Sequence, residues 1–144
     1  MTADQMVAIL KSRGCEPSDL RDGVHEAVHV LQTGSRSWDR EKLHETLERK
    51  AWKTSSARNH IATMVRYELQ ARAVEMLACK HFKIPYDIDH WAFTCWMETS
   101  KSYRVDIGSI DKIVDSVRIV SKQVEVGMLL RRVLSLRARR EPRA

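Results

Sequence analysis

The residues of this chain best suited to chemistry are two histidines and a glutamate in the segment His25-Glu-Ala-Val-His29. On a helix, residues four apart lie on one face about one turn apart, so both imidazoles can bind one metal ion. Glu26, between them, could act as general base on a water at the metal. Imidazole suits Zn²⁺, and a catalytic zinc takes three protein ligands and a water. The pattern therefore predicts a zinc site with one ligand still to be found.

The apolar residues around this motif favour a buried helix. Val24, Ala27, Val28 and Leu31 recur at helical spacing, which is typical of a helix face that packs against a core. The two histidines lie along the border of that face, where a metal ion between packed helices would be. A motif this short also leaves an alternative open, namely a helix with two ordinary surface or capping histidines.

Three later residues are candidates for the third ligand. Glu68 and Glu75 fall on the apolar stripe of a long helix, and burying a carboxylate costs several kcal/mol unless a metal or a cation partners it. Arg72 lies within one turn of both carboxylates and could pair with either. His44 lies closer in sequence but follows a turn, and it ranks lower because it is expected at the surface. On the residues alone, both glutamates stay open.

A family resemblance bears on this choice. H-E-x-x-H on one helix, followed by a glutamate on a later helix with a small residue three positions on, resembles the glutamate-zincin metallopeptidases. In this chain the matching residues are those at 25–29 and Glu68-Leu-Gln-Ala71. The longer stretch to Glu75 is also similar to small zincin-like proteins of bacteria and their phages. The resemblance covers these two helices and no more of the chain.

The resemblance implies a zinc-dependent metallopeptidase with a peptide or protein substrate. Its implied zinc ligands are His25, His29 and Glu68, and its implied base is Glu26. Glu75 would then support the ligands from behind, held by Arg72. Typical zincins also place a sheet with a peptide-binding edge strand beside the first metal helix, whereas no strand is expected before residue 25 here.

Composition describes an ordinary folded protein. With 144 residues, 43% hydrophobic and 31% charged, the chain is large enough for one core, too small for two, and too apolar for a disordered protein. No apolar run reaches the length of a membrane span, and the N-terminal residues lack the pattern of a signal peptide. Three widely spaced cysteines without a C-x-x-C motif fit reduced thiols. We therefore expect a cytoplasmic protein.

Hydrophobic periodicity predicts a mainly α-helical single domain of five or six helices over residues 1–140. A capping box at Thr2–Gln5 starts a short helix that ends at Gly14. The helix with the motif is expected at 18–33, with Ser18 as N-cap and Gly34 at its end. Further helices are expected at about 40–50, 56–83, 87–102 and 109–139. The zinc would lie between the 18–33 and 56–83 helices.

When water attacks a peptide carbonyl, the developing oxyanion also needs a hydrogen-bond donor besides the metal. Three residues are candidates for that donor: Tyr67, Tyr103 and His44. The sequence does not choose among them. The stretch 103–108 shows some alternation and could be a short extended segment.

The C-terminal segment from about residue 131 is strongly basic and contributes much of the formal charge of +6. Its cations are Arg131, Arg132, Arg137, Arg139, Arg140 and Arg143, against a single Glu141. Such a tail can bind nucleic acid or an acidic partner, or it can complement the negative end of a helix dipole. A second function therefore stays open: a non-catalytic helical regulatory module on a zincin-like scaffold that binds nucleic acid or protein.

Overall fold

The computed structural model describes residues 1–54, 60–103 and 108–139. In these residues the chain forms seven α-helices and no β-strand, which confirms the mainly α fold class. The helices are α1 (Ala3–Ser12), α2 (Leu20–Thr33), α3 (Arg40–Thr54), α4 (His60–His81), α5 (Ile88–Tyr103), α6 (Ile110–Val120) and α7 (Val124–Leu134). No described helix combines the length and the hydrophobicity that a membrane span requires.

The expected count of five or six helices is too low because the helix predicted over 109–139 is two helices, α6 and α7. The Ser121 N–H donates to Val117 O at 2.9 Å and closes α6, and Gln123 starts α7 with an extended backbone. An unbroken helix would extend on the order of 45 Å, whereas the break lets Val117 and Val126 share one core. The hydrophobic period is similar on both sides of the break, so the sequence pattern does not reveal it.

Helix α2 begins and ends at well-defined caps. Its N-cap is Asp19 rather than the predicted Ser18, since the Asp19 carboxylate accepts a hydrogen bond from the Asp22 N–H at 2.9 Å. The Ser18 N–H instead donates to the Asp22 side chain. Gly34 ends the helix with a left-handed φ of 67°, as predicted. The predicted Thr2–Gln5 capping box of α1 is present as well.

Helix α4 lies at the centre of the fold and contacts α2, α3, α5, α6 and α7. Every residue from 70 to 75 is buried, so this part of the helix is enclosed on all sides rather than along one stripe. Fully buried Ala71, Ala73 and Ala78 let the neighbouring helices approach closely. Because α4 is enclosed, its buried polar side chains need partners inside the protein.

Two groups of buried apolar residues hold α2 beside α4. The larger core joins residues of α1, α2, α4, α5, α6 and α7, and includes Val24, Ala27 and Val28 of the predicted apolar face. A smaller core between α3 and α4 consists of Leu47, Ala51, Met64 and Tyr67. The contact between α2 and α4 is the most extensive of any helix pair, and the polar site lies along it.

Some predicted features fall outside the described residues. The expected start of the 56–83 helix lies in 55–59, and most of the expected extended segment lies in 104–107. The last basic residues, Arg140 and Arg143, also lie outside them.

Candidate metal centre

Two histidines from α2 and one glutamate from α4 converge at the surface of an open cleft. His25 Nε2 lies 3.0 Å from His29 Nε2 and 3.2 Å from Glu68 Oε2. His29 Nε2 lies 2.9 Å from Glu68 Oε1. Helix α2 alone brings the two imidazoles together because they are one turn apart, and its packing against α4 adds the carboxylate.

The spacing of these three side chains fits Zn²⁺. Zinc takes nitrogen and carboxylate ligands tetrahedrally at about 2.0–2.2 Å, which places ligand atoms about 3.3–3.5 Å apart. The two Nε2 atoms are 3.0 Å apart, and each lies close to a different oxygen of Glu68, at 3.2 Å for His25 and 2.9 Å for His29, so the separations are somewhat shorter than in a zinc site. Two imidazoles and one carboxylate are also one of the ligand sets found in catalytic zinc sites, which leave a fourth position for water or substrate.

Glu75 lies behind His25 and is only 1% exposed. Its Oε1 lies 2.6 Å from His25 Nδ1 and accepts from Arg72 Nη1 at 3.1 Å, and its Oε2 accepts from the Tyr86 hydroxyl at 2.8 Å. An ionised carboxylate only accepts, so Nδ1 carries the proton of the neutral His25 ring and Nε2 is left for a metal. Burial and the Glu75 charge raise the pKa of Tyr86, which keeps its hydroxyl a donor.

His29 has a different partner behind it, the buried side chain of Gln32. The His29 Nδ1 lies 2.7 Å from Gln32 Oε1. The Gln32 amide nitrogen donates to Tyr67 O at 3.1 Å and to Gln70 Oε1 at 2.9 Å. Both histidines are therefore held from the side opposite the cluster, one by a carboxylate and one by an amide.

The carboxylates control protonation of this cluster in the metal-free protein. Burial disfavours charged His25, but Glu68 and Glu75 outweigh burial and raise the pKa of His25 to about 10. Burial also disfavours charged Glu68, yet His29 and His25 hold the pKa of Glu68 well below its usual range. The metal-free cluster is thus a network of charges in which His25 holds a proton that a metal must displace.

The stability of the metal-free protein should therefore fall as the pH rises above neutrality. The folded-state pKa of His25 is raised from 6.5 to about 10, so the folded state binds more protons than the unfolded state between these values. The contribution of His25 is complete below pH 6.5 and is lost towards pH 10, with a slope of at most about 1.4 kcal/mol per pH unit. Urea unfolding of chelator-treated protein between pH 6.5 and 8.5 measures this slope.

A matched pair of variants isolates the His25 contribution. His25→Gln should make the free energy of unfolding nearly independent of pH between 6.5 and 8.5. His90→Gln, at an exposed position on α5, should leave the pH dependence of the wild type unchanged. A slope that persists in His25→Gln would contradict the assignment of the proton to this residue.

Glu26 lies beside the cluster with both carboxylate oxygens engaged. Arg40 Nε donates to Glu26 Oε1 at 2.8 Å, and the Cys15 thiol donates to Glu26 Oε2 at 2.9 Å. Arg40 also pairs with Asp22, and its side chain is 66% exposed. Burial, followed by the bond to Glu26, raises the pKa of Cys15, so the thiol stays a donor. The expected base is thus held between an exposed cation and a buried thiol.

The cluster opens into a cleft of about 430 Å³ between α2, α3, α4 and α5. Its apolar lining comes from Leu43, Met64 and Trp91. The Trp91 ring lies 4.2 Å from the Arg21 guanidinium and 5.3 Å from that of Arg72, which holds the ring in place as a wall. A cleft of this volume can accept a small molecule or part of a peptide.

The other sequence candidates lie in different places. His44 is exposed on α3 and lines the cleft, but it is not part of the three-residue cluster. Tyr67 is buried in the small core and does not line this cleft, which argues against it as an oxyanion donor. The side chain of Tyr103 lies outside the described part of the structure.

Sequence reasoning missed several side chains that hold the site together. The sequence could have indicated Gln32, because it lies three residues after His29 and therefore on the same side of α2. The sequence could not indicate the other three side chains, because their contacts form only when separate segments pack together. Arg40 and Cys15 contact Glu26, and Tyr86 contacts Glu75.

Comparison of the chain with protein-family models, with curated proteins and with solved structures finds no match.

Proposed function

We propose that this protein binds Zn²⁺ through His25, His29 and Glu68 and is a zinc-dependent hydrolase, most simply a metallopeptidase. The observation that carries the proposal is the convergence of the two Nε2 atoms, 3.0 Å apart, and the Glu68 carboxylate, whose two oxygens lie 3.2 Å and 2.9 Å from them, at an open cleft. The carboxylate behind His25 adds support, because ligating histidines commonly donate their other N–H to such a group. The H-E-x-x-H motif adds the adjacent Glu26 as base.

Zinc at this position would polarise a substrate carbonyl and lower the pKa of a water. Glu26 would accept the proton of that water and pass it to the leaving nitrogen. To do so Glu26 must exchange one of its partners for the water. Arg40 is the partner to leave, since it is mostly exposed and retains Asp22 as an alternative. The Cys15 thiol would remain and hold the other carboxylate oxygen in place.

The cleft also limits how a peptide substrate could bind. No strand is present among residues 1–54, 60–103 and 108–139, so none of these segments offers an edge strand for a peptide to pair with. A peptide would have to be held by side chains, with Leu43, Met64 and Trp91 providing apolar contact. His44 lines the same cleft and is the remaining described candidate for an oxyanion donor.

The alternative function, a non-catalytic module that binds nucleic acid or an acidic protein, has one observation in its favour. Arg131, Arg132 and Arg137 are exposed near the end of α7. Two hydrogen bonds join the segment after α7 to the end of α1. Arg13 Nε donates to Arg137 O at 2.8 Å, and the Arg139 N–H donates to Ser12 Oγ at 3.0 Å. Nucleic-acid binding with steep salt dependence that survives chelation would favour this alternative.

Metal analysis of the purified protein tests the zinc site. We expect one zinc per chain in the wild type and loss of zinc in His29→Ala and Glu68→Ala, because each change removes one of three ligands. His44→Ala is the matched control, since it lines the same cleft outside the cluster, and it should keep its zinc. Zinc retained in Glu68→Ala would place the third ligand elsewhere, and a wild type that takes up no zinc would overturn the proposal.

A further inference from the structure

We infer that Gln32 is a positioning residue that fixes the ring tautomer of His29, so that Nε2 of His29 faces the metal cluster as an acceptor. The inference rests on the metal site proposed above and concerns how one ligand is prepared for it. Gln32 follows His29 by three residues on α2 and is buried. Its Oε1 faces the His29 Nδ1 at 2.7 Å, on the side of the ring opposite Glu68.

The orientation of the Gln32 amide follows from its other neighbours. A glutamine oxygen and nitrogen are chemically distinct, and only the nitrogen can donate. The group on the far side of the amide is the Tyr67 backbone carbonyl, which has no hydrogen to give, 3.1 Å from Gln32 Nε2. The nitrogen must therefore face Tyr67, and the oxygen must face His29. An oxygen acceptor requires a hydrogen on His29 Nδ1, so the lone pair of the neutral ring lies on Nε2.

A second amide reinforces this orientation. Gln70 Oε1 accepts from Gln32 Nε2 at 2.9 Å, and Gln70 Nε2 donates to Glu125 Oε2 at 3.1 Å. The Glu125 carboxylate, like the Tyr67 carbonyl, only accepts. In both glutamines the amide nitrogen therefore faces a group that can only accept, which fixes the orientation of each amide. The resulting chain of hydrogen bonds joins α2, α4 and α7. A flip of either amide would bring two acceptors or two donors face to face.

An amide suits this position better than a carboxylate would. Glu68 and Glu75 already place two buried or half-buried negative charges beside the histidines. A third carboxylate at position 32 would need its own counter-charge at a cost of several kcal/mol. Gln32 therefore orients His29 through a hydrogen bond without adding a charge, whereas Glu75 orients His25 and also stabilises a positive charge on it.

Zinc affinity in a competition assay with a chelator tests the role of Gln32. Gln32→Leu should weaken zinc binding by about 10–100-fold, the usual cost of losing a hydrogen-bond partner behind a ligating histidine. Gln123→Leu makes the same change at an exposed glutamine whose side chain forms no cap bond, and it should bind zinc like the wild type.

The tautomer itself can be read in the wild-type protein, so this test does not depend on the folding of a variant with a buried substitution. Nitrogen-15 NMR of the zinc-loaded protein should show a protonated Nδ1 and a coordinated Nε2 on His29. Coordination through Nδ1, or wild-type affinity in Gln32→Leu, would overturn the inference. If the wild type binds no zinc, the proposed function fails. The Nδ1 of His29 must still carry a hydrogen in the metal-free protein, because it faces Gln32 Oε1 there as well, and an Nδ1 without a hydrogen would overturn the inference separately.

Discussion

Replacing Glu26 with glutamine is expected to lower the rate of hydrolysis by about 10²–10⁴-fold, the usual contribution of a positioned general base, while zinc stays bound. Glutamine has nearly the same shape, and its single carbonyl oxygen can still accept from Arg40 while its amide nitrogen faces the Cys15 sulfur. It cannot take a proton from water. The measurement is zinc-dependent cleavage of a proteome-derived peptide library, followed by mass spectrometry, with zinc content determined on the same samples.

Asp22→Asn provides the matched control for this variant. Asp22 lies one turn before Glu26 on α2 and is the other carboxylate that pairs with Arg40. Its replacement alters the same ion pair network without touching the expected base, so the rate should change by less than about tenfold. Equal cleavage by Glu26→Gln and the wild type, with zinc bound in both, would contradict the base role of Glu26.

Replacing Arg72 with methionine is expected to destabilise the metal-free protein by about 3 kcal/mol, because the change leaves a buried carboxylate without its permanent cation. Glu75 is 1% exposed and accepts from Arg72 at 3.1 Å. His25 and Tyr86 would remain as partners of Glu75, which keeps the expected loss at the lower end for a broken buried pair. Urea unfolding of chelator-treated protein measures the effect.

Two further variants separate this charge effect from simple loss of an arginine. Arg66→Met makes the same change at an exposed position on α4 and should alter stability by about 0.5 kcal/mol or less. The double variant Arg72→Met/Glu75→Gln removes the charge that Arg72 neutralises and should recover much of the loss, so the two changes should not be additive. An Arg72→Met protein as stable as Arg66→Met would show that Glu75 does not depend on Arg72.

The histidine pair shows how far the sequence alone reaches. The i, i+4 spacing of His25 and His29 puts both imidazoles on one face of α2 wherever that helix packs. The end of the helix is equally local, because a left-handed residue such as Gly34 is favoured at a helix C-terminus. Helical periodicity likewise predicted the mainly α fold class. Each of these properties depends on residues within one element.

The role of each acidic residue depends on other elements. Glu68 and Glu75 are two turns apart on α4, so periodicity treats them alike. The packing of α2 against α4 places Glu68 on the Nε2 side of the histidines and Glu75 on the Nδ1 side of His25. The same packing encloses α4 on all sides, which a one-sided apolar stripe does not predict.

By itself, then, the sequence determined the helical class, the shared face of the histidines and the end of α2 at Gly34. Only the tertiary structure decided the break between α6 and α7, which carboxylate meets the imidazoles, and the pairing of Glu26 with Arg40 and Cys15. The physical reason is that backbone preferences and hydrophobic periodicity act over a few turns of one helix. The partners of buried polar groups are set by how separate helices cross, and those crossings depend on the packing of the whole core.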